Sequence, residues 1–323
     1  MVEEMASRIL NGEQRAIGKA ISLIEDRKPE HRDLMSRLYP HAGKGQIVGI
    51  TGSPGAGKSS LVNGLVKEWR NQGRSVAIIA VDPTSPFSGG ALLGDRIRMR
   101  DLEEDDHIFI RSMGTRGSLG GLSEACQDVV RLMDAAGFDL VVVETVGVGQ
   151  SELDIMKTAD TVALVLYPSG GDLIQAFKAG IMEIADLFVI NKADLPGVEQ
   201  LKGELQDLLH ITSEGRKWEP PILQTISTEK KGMAAVVTGI RDHYDYLVST
   251  GKRLERRLSQ KELEVMRRLH ERFTEEVRPI VEKALEMNAS DPYERLLEID
   301  PYGLAEVIFC QWRKGNTEER GEG

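Results

Sequence analysis

The amino-acid sequence predicts an α/β fold: a mainly parallel central sheet flanked by helices, with a helical extension before it and a helical arm after it. Two observations carry this. Between residues 46 and 225, short apolar, largely β-branched runs alternate with helical patterns; the runs are 47–51, 75–81, 107–110, 140–144, 161–166, 187–190 and 222–225. Strands that are apolar along their whole length are buried on both faces, which is the mark of a parallel sheet between helical layers. The first run leads into Gly52-Ser53-Pro54-Gly55-Ala56-Gly57-Lys58-Ser59, a G-x-x-x-x-G-K-[ST] phosphate loop, and then into an amphipathic helix.

Every position of that loop has a mechanical reason. The glycines let the backbone fold round a phosphate chain with its N–H groups turned inward. Lys58 reaches the terminal phosphates, and the Ser59 hydroxyl suits a phosphate-bound magnesium. The helix that begins near Gly57 adds its dipole and unpaired amides to the same anion site, with Ser60 next in its first turn.

Composition sets the outer limits. At 323 residues, with 41% hydrophobic and 28% charged side chains, the chain buries a real core. A net charge of −10 argues against nucleic acid or an acidic membrane surface as the main partner. Two cysteines, Cys126 and Cys310, make neither a disulfide framework nor a C-x-x-C metal site. The start, MVEEMASRIL, has no apolar h-region, and no apolar run approaches the roughly 18 residues of a spanning helix, so a cytoplasmic protein without a membrane partner is expected.

Taken in order, residues 1–44 read as a helical extension. Apolar side chains recur at helical spacing over Val2–Leu10 and Gln14–Asp26, and a further short helix lies between Pro29 and Pro40. Residues 45–250 form the nucleotide domain. Within it, in a parallel sheet, ligand-binding loops gather at the carboxyl ends of the strands, and the remaining motifs fall there.

Asp82 ends the second run and stands where a carboxylate holds magnesium through water; the alternative is that Asp82-Pro83 only starts a turn. Arg96, Arg98 and Arg100 are open to two readings, charge for a phosphoryl transition state or a solvated helix face. Arg111 to Gly121 reads as a glycine-rich loop that either moves with nucleotide or caps a helix.

The fourth run ends in Glu144-Thr-Val-Gly147-Val-Gly149-Gln150, in the position of the second nucleotide-triphosphatase motif. A strand-end carboxylate there meets magnesium's water shell, and Gly147 lies near the γ-phosphate. Glutamate replaces the commoner aspartate, and Val148 cannot orient an attacking water. Intrinsic hydrolysis is therefore expected to be slow unless Gln150 or another group supplies that function. Asn191-Lys192-Ala193-Asp194 follows a later run. A carboxylate at Asp194 accepts from guanine N1–H and the exocyclic amine, a donor pair that adenine lacks. Ser227 and Thr228, after the last run, are placed to read the guanine oxygen.

Together these residues carry a resemblance. The phosphate loop GSPGAGKSS, then VDPTSPFSGGALLGDRIRM, ETVGVGQSE, GGDLIQAFKAGIMEIAD and NKAD, in that order, closely resemble the MeaB/ArgK family of GTPases, over roughly residues 10 to 310. These are metallochaperones of adenosylcobalamin-dependent acyl-CoA mutases such as methylmalonyl-CoA mutase. The resemblance implies a P-loop fold of the SIMIBI class, a homodimer, GTP/GDP and Mg2+ as ligands, and adenosylcobalamin through the partner mutase. It also implies that Ser59, Asp82, Asp95 and Glu144 belong to the magnesium and hydrolysis site, and that Asp172 to Gly180 form a switch that signals to the mutase. Ser60 departs from the family's usual threonine. Ile226-Ser-Thr-Glu departs from its Ser-Ala guanine loop.

Residues 251–323 carry no chemistry of their own. Gly251 to Met287 is a charge-rich helical pattern punctuated by Pro279, whose apolar positions (Leu254, Leu258, Leu263, Val265, Met266, Leu269, Phe273) read as a packing face, in keeping with a dimerisation arm. Two alternatives keep the phosphate loop but put it to different use. One is a nickel-type metal-insertion GTPase, which the scattered histidines disfavour, and the other is a kinase of transport proteins, which the NKAD motif disfavours.

Overall fold

The computed structural model describes residues 1–82, 100–102, 104–114, 124–145, 154–168, 180–212, 217–286 and 300–318. The chain divides into two compact units, Met1–Arg257 and Leu258–Gly323.

The first unit is built on a sheet of seven parallel strands in the order β3-β2-β4-β1-β5-β6-β7. These are β1 (Gln46–Gly52), β2 (Val76–Asp82), β3 (Ile108–Gly114), β4 (Leu140–Glu144), β5 (Thr161–Leu166), β6 (Leu187–Ile190) and β7 (Ile222–Gln224). Each coincides with a run picked out from the sequence. The third is longer: Arg111 to Gly114, expected in a loop, continue β3, because β2 runs on to Asp82 and offers a partner to each of them.

Alternation along each strand divides the apolar side chains between two layers. Ile47, Val141 and Val143 face α1 (Val2–Leu10), α2 (Gln14–Glu25), α3 (Glu30–Leu38) and α5 (Glu124–Ala135). Val48, Leu140 and Val142 face α4 (Lys58–Asn71) and α7 (Met233–Ser249). A third cluster, around Phe188 and Ile190, is covered by α6 (Val198–Thr212). The amino-terminal helices are thus part of the core: Ile17, Ala20, Ile21 and Ile24 of α2 are all buried. Cys126 of α5 is fully buried, and burial pushes its thiol up to about 12.

Helix α8 (Lys252–Glu286) begins in this unit, and its first two turns bind the amino ends of the strands. Arg257 donates to both carboxylate oxygens of the fully buried Asp160, at 2.7 and 2.6 Å. Asp160 itself accepts from the Ile47 amide at the start of β1. Arg256 donates to the Asp160 carbonyl at 2.6 Å and to Asp186 at 3.1 Å. Arg253 donates to the carbonyls of Gly43 and Gly45. Burial works against the charge on Arg257, but its hydrogen bond to Asp160 and the charges of Asp160 and Asp134 outweigh it and hold its pKa above the ordinary value.

In the second unit α8 runs to Glu286 without a break at Pro279, and α9 covers Pro301–Glu318. Phe273 of α8 meets Trp312 of α9 edge-on at 4.8 Å, and the Trp312 indole N–H donates to Glu276 at 3.1 Å. Leu258, Leu263, Val265, Met266 and Leu269 are exposed within the single chain. Among the described residues no helix is long and apolar enough to cross a membrane.

Candidate functional site

The site lies at the carboxyl ends of the central strands. Strand β1 delivers the chain into the loop 53–57, and α4 leaves it from Lys58. Two glycines are dictated by geometry. Gly52 has φ +137°, and a Cβ there would lie 2.0 Å from the Val165 carbonyl oxygen. Gly57, at φ +85°, caps α4 in the left-handed region, and a Cβ there would meet Asn191 Nδ2 at 2.5 Å. Pro54, Gly55 and Ser60 are exposed, whereas Ser53 is half-buried and Ala56 is buried. The Ala56 amide donates back to the Ser53 carbonyl and closes the turn.

Lys58 folds back over the loop. Its ammonium, on a side chain only 6% exposed, donates to the carbonyls of Gly52 at 2.8 Å and Ser53 at 3.0 Å. Such a buried cation, held over a glycine-rich turn at the start of a helix, suits a phosphate chain. On the next residue, the Ser59 hydroxyl donates to Glu144 Oε1 at 2.7 Å. Both side chains are buried, and Glu144 ends β4 between β1 and β2. A hydroxyl and a carboxylate brought together beside a phosphate loop are hard oxygen donors, so these residues fit Mg2+. Beneath them Thr145 donates its hydroxyl to Thr51 at 2.9 Å, both fully buried, which ties the end of β4 to the end of β1.

On the other side of β1, Asn191 joins three segments. Its Nδ2 donates to the Ala56 carbonyl at 2.8 Å. Its Oδ1 accepts from Thr225 Oγ1 at 3.0 Å and from the amide and hydroxyl of Ser227 at 3.2 and 2.8 Å. Both Ser227 donors, one of which sequence reading offered to a guanine oxygen, are here directed at Asn191. Thr228 follows in the same 3-10 turn and is exposed. Lys192 has a left-handed backbone with φ +56°, and its ammonium lies 4.6 Å from the centre of the Tyr167 ring. Asp194 is exposed at the rim.

The structure therefore gathers Lys58, Ser59 and Glu144 at one end of the site and Asn191, Lys192, Asp194 and Ser227 at the other. The backbone of Asp82 ends β2, paired with Gly114. Asp95, Gly147, Gln150, the candidate arginines Arg96 and Arg98, and most of the segment Asp172 to Gly180 lie outside the described residues. Sequence reading missed Thr51, Thr145 and Tyr167. Thr51 and Tyr167 belong to no motif and Thr145 fills a variable position within one, so only the sheet's register shows what each one meets.

A profile of the family described as "Methylmalonyl Co-A mutase-associated GTPase MeaB" matches residues 17–281. A protein of Pyrococcus horikoshii is 45% identical over 317 residues, covering 95% of this chain and 97% of its own length. GTPase ArgK of Escherichia coli is 37% identical over 273 residues, 82% of each chain. A crystal structure of an LAO/AO transport system kinase superposes with a TM-score of 0.72 at 27% identity, covering 98% of this chain and 97% of that one. With that P-loop architecture, and with the profile match running from the second helix into α8, the chain belongs to the methylmalonyl-CoA mutase-associated GTPases of the MeaB family.

Proposed function

We propose that this GTPase binds GTP with Mg2+, hydrolyses it to GDP and phosphate, and uses that cycle to control cofactor loading and protection of an adenosylcobalamin-dependent acyl-CoA mutase such as methylmalonyl-CoA mutase. The observation that carries the nucleotide chemistry is the meeting of Ser59 and Glu144 beside the Lys58 ammonium. Lys58 anchors the terminal phosphates. Ser59 and Glu144 hold the metal's ligand shell, with Asp82 and Asp95 as further members of that set. A cation held there would neutralise charge that develops on the transferred phosphoryl group. Asp194 selects guanine, and Asn191 ties the base loop to the phosphate loop. Gly147 and Gln150 are the candidates for meeting the γ-phosphate and for orienting water.

The mutase assignment rests on the family's description. In this reading the segment from Asp172 to Gly180 transmits nucleotide state, and the exposed apolar residues of α8, among them Leu263 and Met266, are covered by a second copy in a homodimer.

The test is GTP turnover with and without a purified adenosylcobalamin-dependent mutase, for the wild type and for Gln175→Ala and Lys178→Ala, two polar positions of that segment. The mutase is expected to accelerate the wild type and to accelerate the variants less, with GTP affinity nearly unchanged. A mutase that neither binds nor accelerates the wild type removes the partner assignment. Preference for GTP over ATP, shifted toward xanthine nucleotides by Asp194→Asn, tests the base assignment separately.

A further inference from the structure

We propose that Tyr167 is a positioning residue for the nucleotide base: its ring holds the Lys192 side chain in place. The proposal rests on the guanine reading of the NKAD segment.

Tyr167 follows directly on β5 (Thr161–Leu166), half-buried against the layer that includes Ile50, Ala56 and Val165. On one side, the Lys192 ammonium lies 4.6 Å from its ring centre, inside the roughly 6 Å range over which a ring face attracts a cation. On the other, its hydroxyl is 4.0 Å from where a side chain on Gly55 would begin. The ring therefore lies beside both loops while contacting the base loop through Lys192.

Lys192 needs such a partner. Its φ of +56° is an uncommon conformation for a residue with a Cβ. The neighbouring backbone sustains it: the Ala193 amide donates to the Thr225 carbonyl at 3.0 Å and the Leu195 amide to the Lys192 carbonyl at 3.0 Å. That backbone aims the side chain but leaves its four rotors unfixed, and a swinging lysine would have to be ordered by each arriving nucleotide. With its ammonium already held over the Tyr167 ring, the methylene stem is preorganised as an apolar strip for the flat face of a purine, so less ordering is charged against binding. The ring face is the part that holds Lys192.

The experiment measures GDP affinity by calorimetry on the full chain for Tyr167→Leu, Tyr167→Phe, Tyr167→Trp, Lys192→Met and the double variant Tyr167→Leu/Lys192→Met. Tyr167→Leu is expected to weaken GDP by roughly threefold to thirtyfold, the range of a partly desolvated cation–π contact. Tyr167→Phe and Tyr167→Trp, which keep a π face, should stay within about threefold of wild type on the same scale. The double variant should bind no more weakly than Lys192→Met alone, because Tyr167 acts through Lys192; a merely structural role would give multiplied losses. Wild-type affinity in Tyr167→Leu, an equal loss in Tyr167→Phe, or multiplied losses in the double variant would overturn the proposal. Should Tyr167→Leu not fold, the Phe and Trp variants and Lys192→Met decide it: both rings retaining affinity while Lys192→Met loses it supports the proposal, and either ring losing it is contrary. Wild type that binds ADP as well as GDP overturns the guanine reading itself.

Discussion

The Ser59 hydroxyl, in the first turn of α4, donates to the Glu144 carboxylate, at the end of β4, at 2.7 Å. A contact between residues so far apart in sequence exists because β4 lies beside β1 in the sheet, so that the end of β4 arrives under the helix launched by β1. It also separates two roles at the site. Glu144→Gln keeps an oxygen for Ser59 and a similar shape but removes the negative charge. GTP turnover is expected to fall by about a hundredfold or more, the scale of a lost charged group at a reacting centre, with GDP affinity within a few-fold. Single-turnover phosphate release and GDP calorimetry on the same protein check this, and equal losses in both would contradict it.

Asn191 is the second point of leverage. It is 1% exposed and engages Ala56, Thr225 and Ser227 at once. Asn191→Ala leaves several buried polar groups unsatisfied, each at about 1–3 kcal/mol. The expected outcome is GDP binding at least tenfold weaker and a lower melting temperature, with the melting difference persisting without nucleotide. A variant that loses affinity but melts like wild type would limit Asn191 to contact with the base.

At the opposite end of the sheet, Arg257→Met removes the cation that faces Asp160 and Asp134. Breaking a buried pair from one side costs about 3–5 kcal/mol, so a large drop in urea midpoint is expected. Adding Asp160→Asn to Arg257→Met should recover part of it, since the stranded charge is then gone. A midpoint unchanged by Arg257→Met would mean that the pair contributes nothing to stability.

His243 gives the fold a pH dependence of defined sign. Burial lowers its pKa from the ordinary 6.5, helped by Arg256 and opposed by Asp186 and Asp160. The ring meets Thr161 Oγ1 at 3.0 Å and Asp186 Oδ1 at 3.3 Å, an arrangement that a neutral imidazole satisfies. The unfolded state therefore binds this proton more readily than the folded one. Stability is full above pH 6.5 and declines as pH falls from there through the lower folded value. Asp101, held low by its hydrogen bonds to Lys67 and Asn63, contributes its loss only below its ordinary 3.8, so the two windows are distinct. Melting curves between pH 7 and 5 should show the decline in wild type and a flatter profile in His243→Gln; parallel profiles would assign the decline elsewhere.

The strands were readable from sequence because a parallel strand buried on both faces leaves an uninterrupted apolar run, as Val141 to Val143 do. Pairing left no such trace. Nothing local says that Ile79 to Asp82, read as strand as far as Val81, take Arg111 to Gly114 as partners and so lengthen β3. The phosphate loop and Asn191 were readable because each chemistry demands a fixed spacing. Tyr167 and the Thr51–Thr145 bond were not, since their partners are set by the sheet order and not by sequence distance. Arg253, Arg256 and Arg257 looked like ordinary charges on a helix; their work at three strand ends depends on a glycine carbonyl and aspartates 70 to 210 residues earlier.

Those arginines also impose an order on the birth of the molecule. During synthesis every strand, the phosphate loop and the base loop leave the ribosome before residue 253, and until then Asp134, Asp160 and Asp186 have no guanidinium to meet. At about 5–20 residues per second the delay is brief, and until it ends these carboxylates have only partners made earlier, among them the amides of Gly45, Ile47 and Val162. A chain that stopped short of Arg253 would keep every one of these motifs and lack the guanidinium partners of Asp134, Asp160 and Asp186.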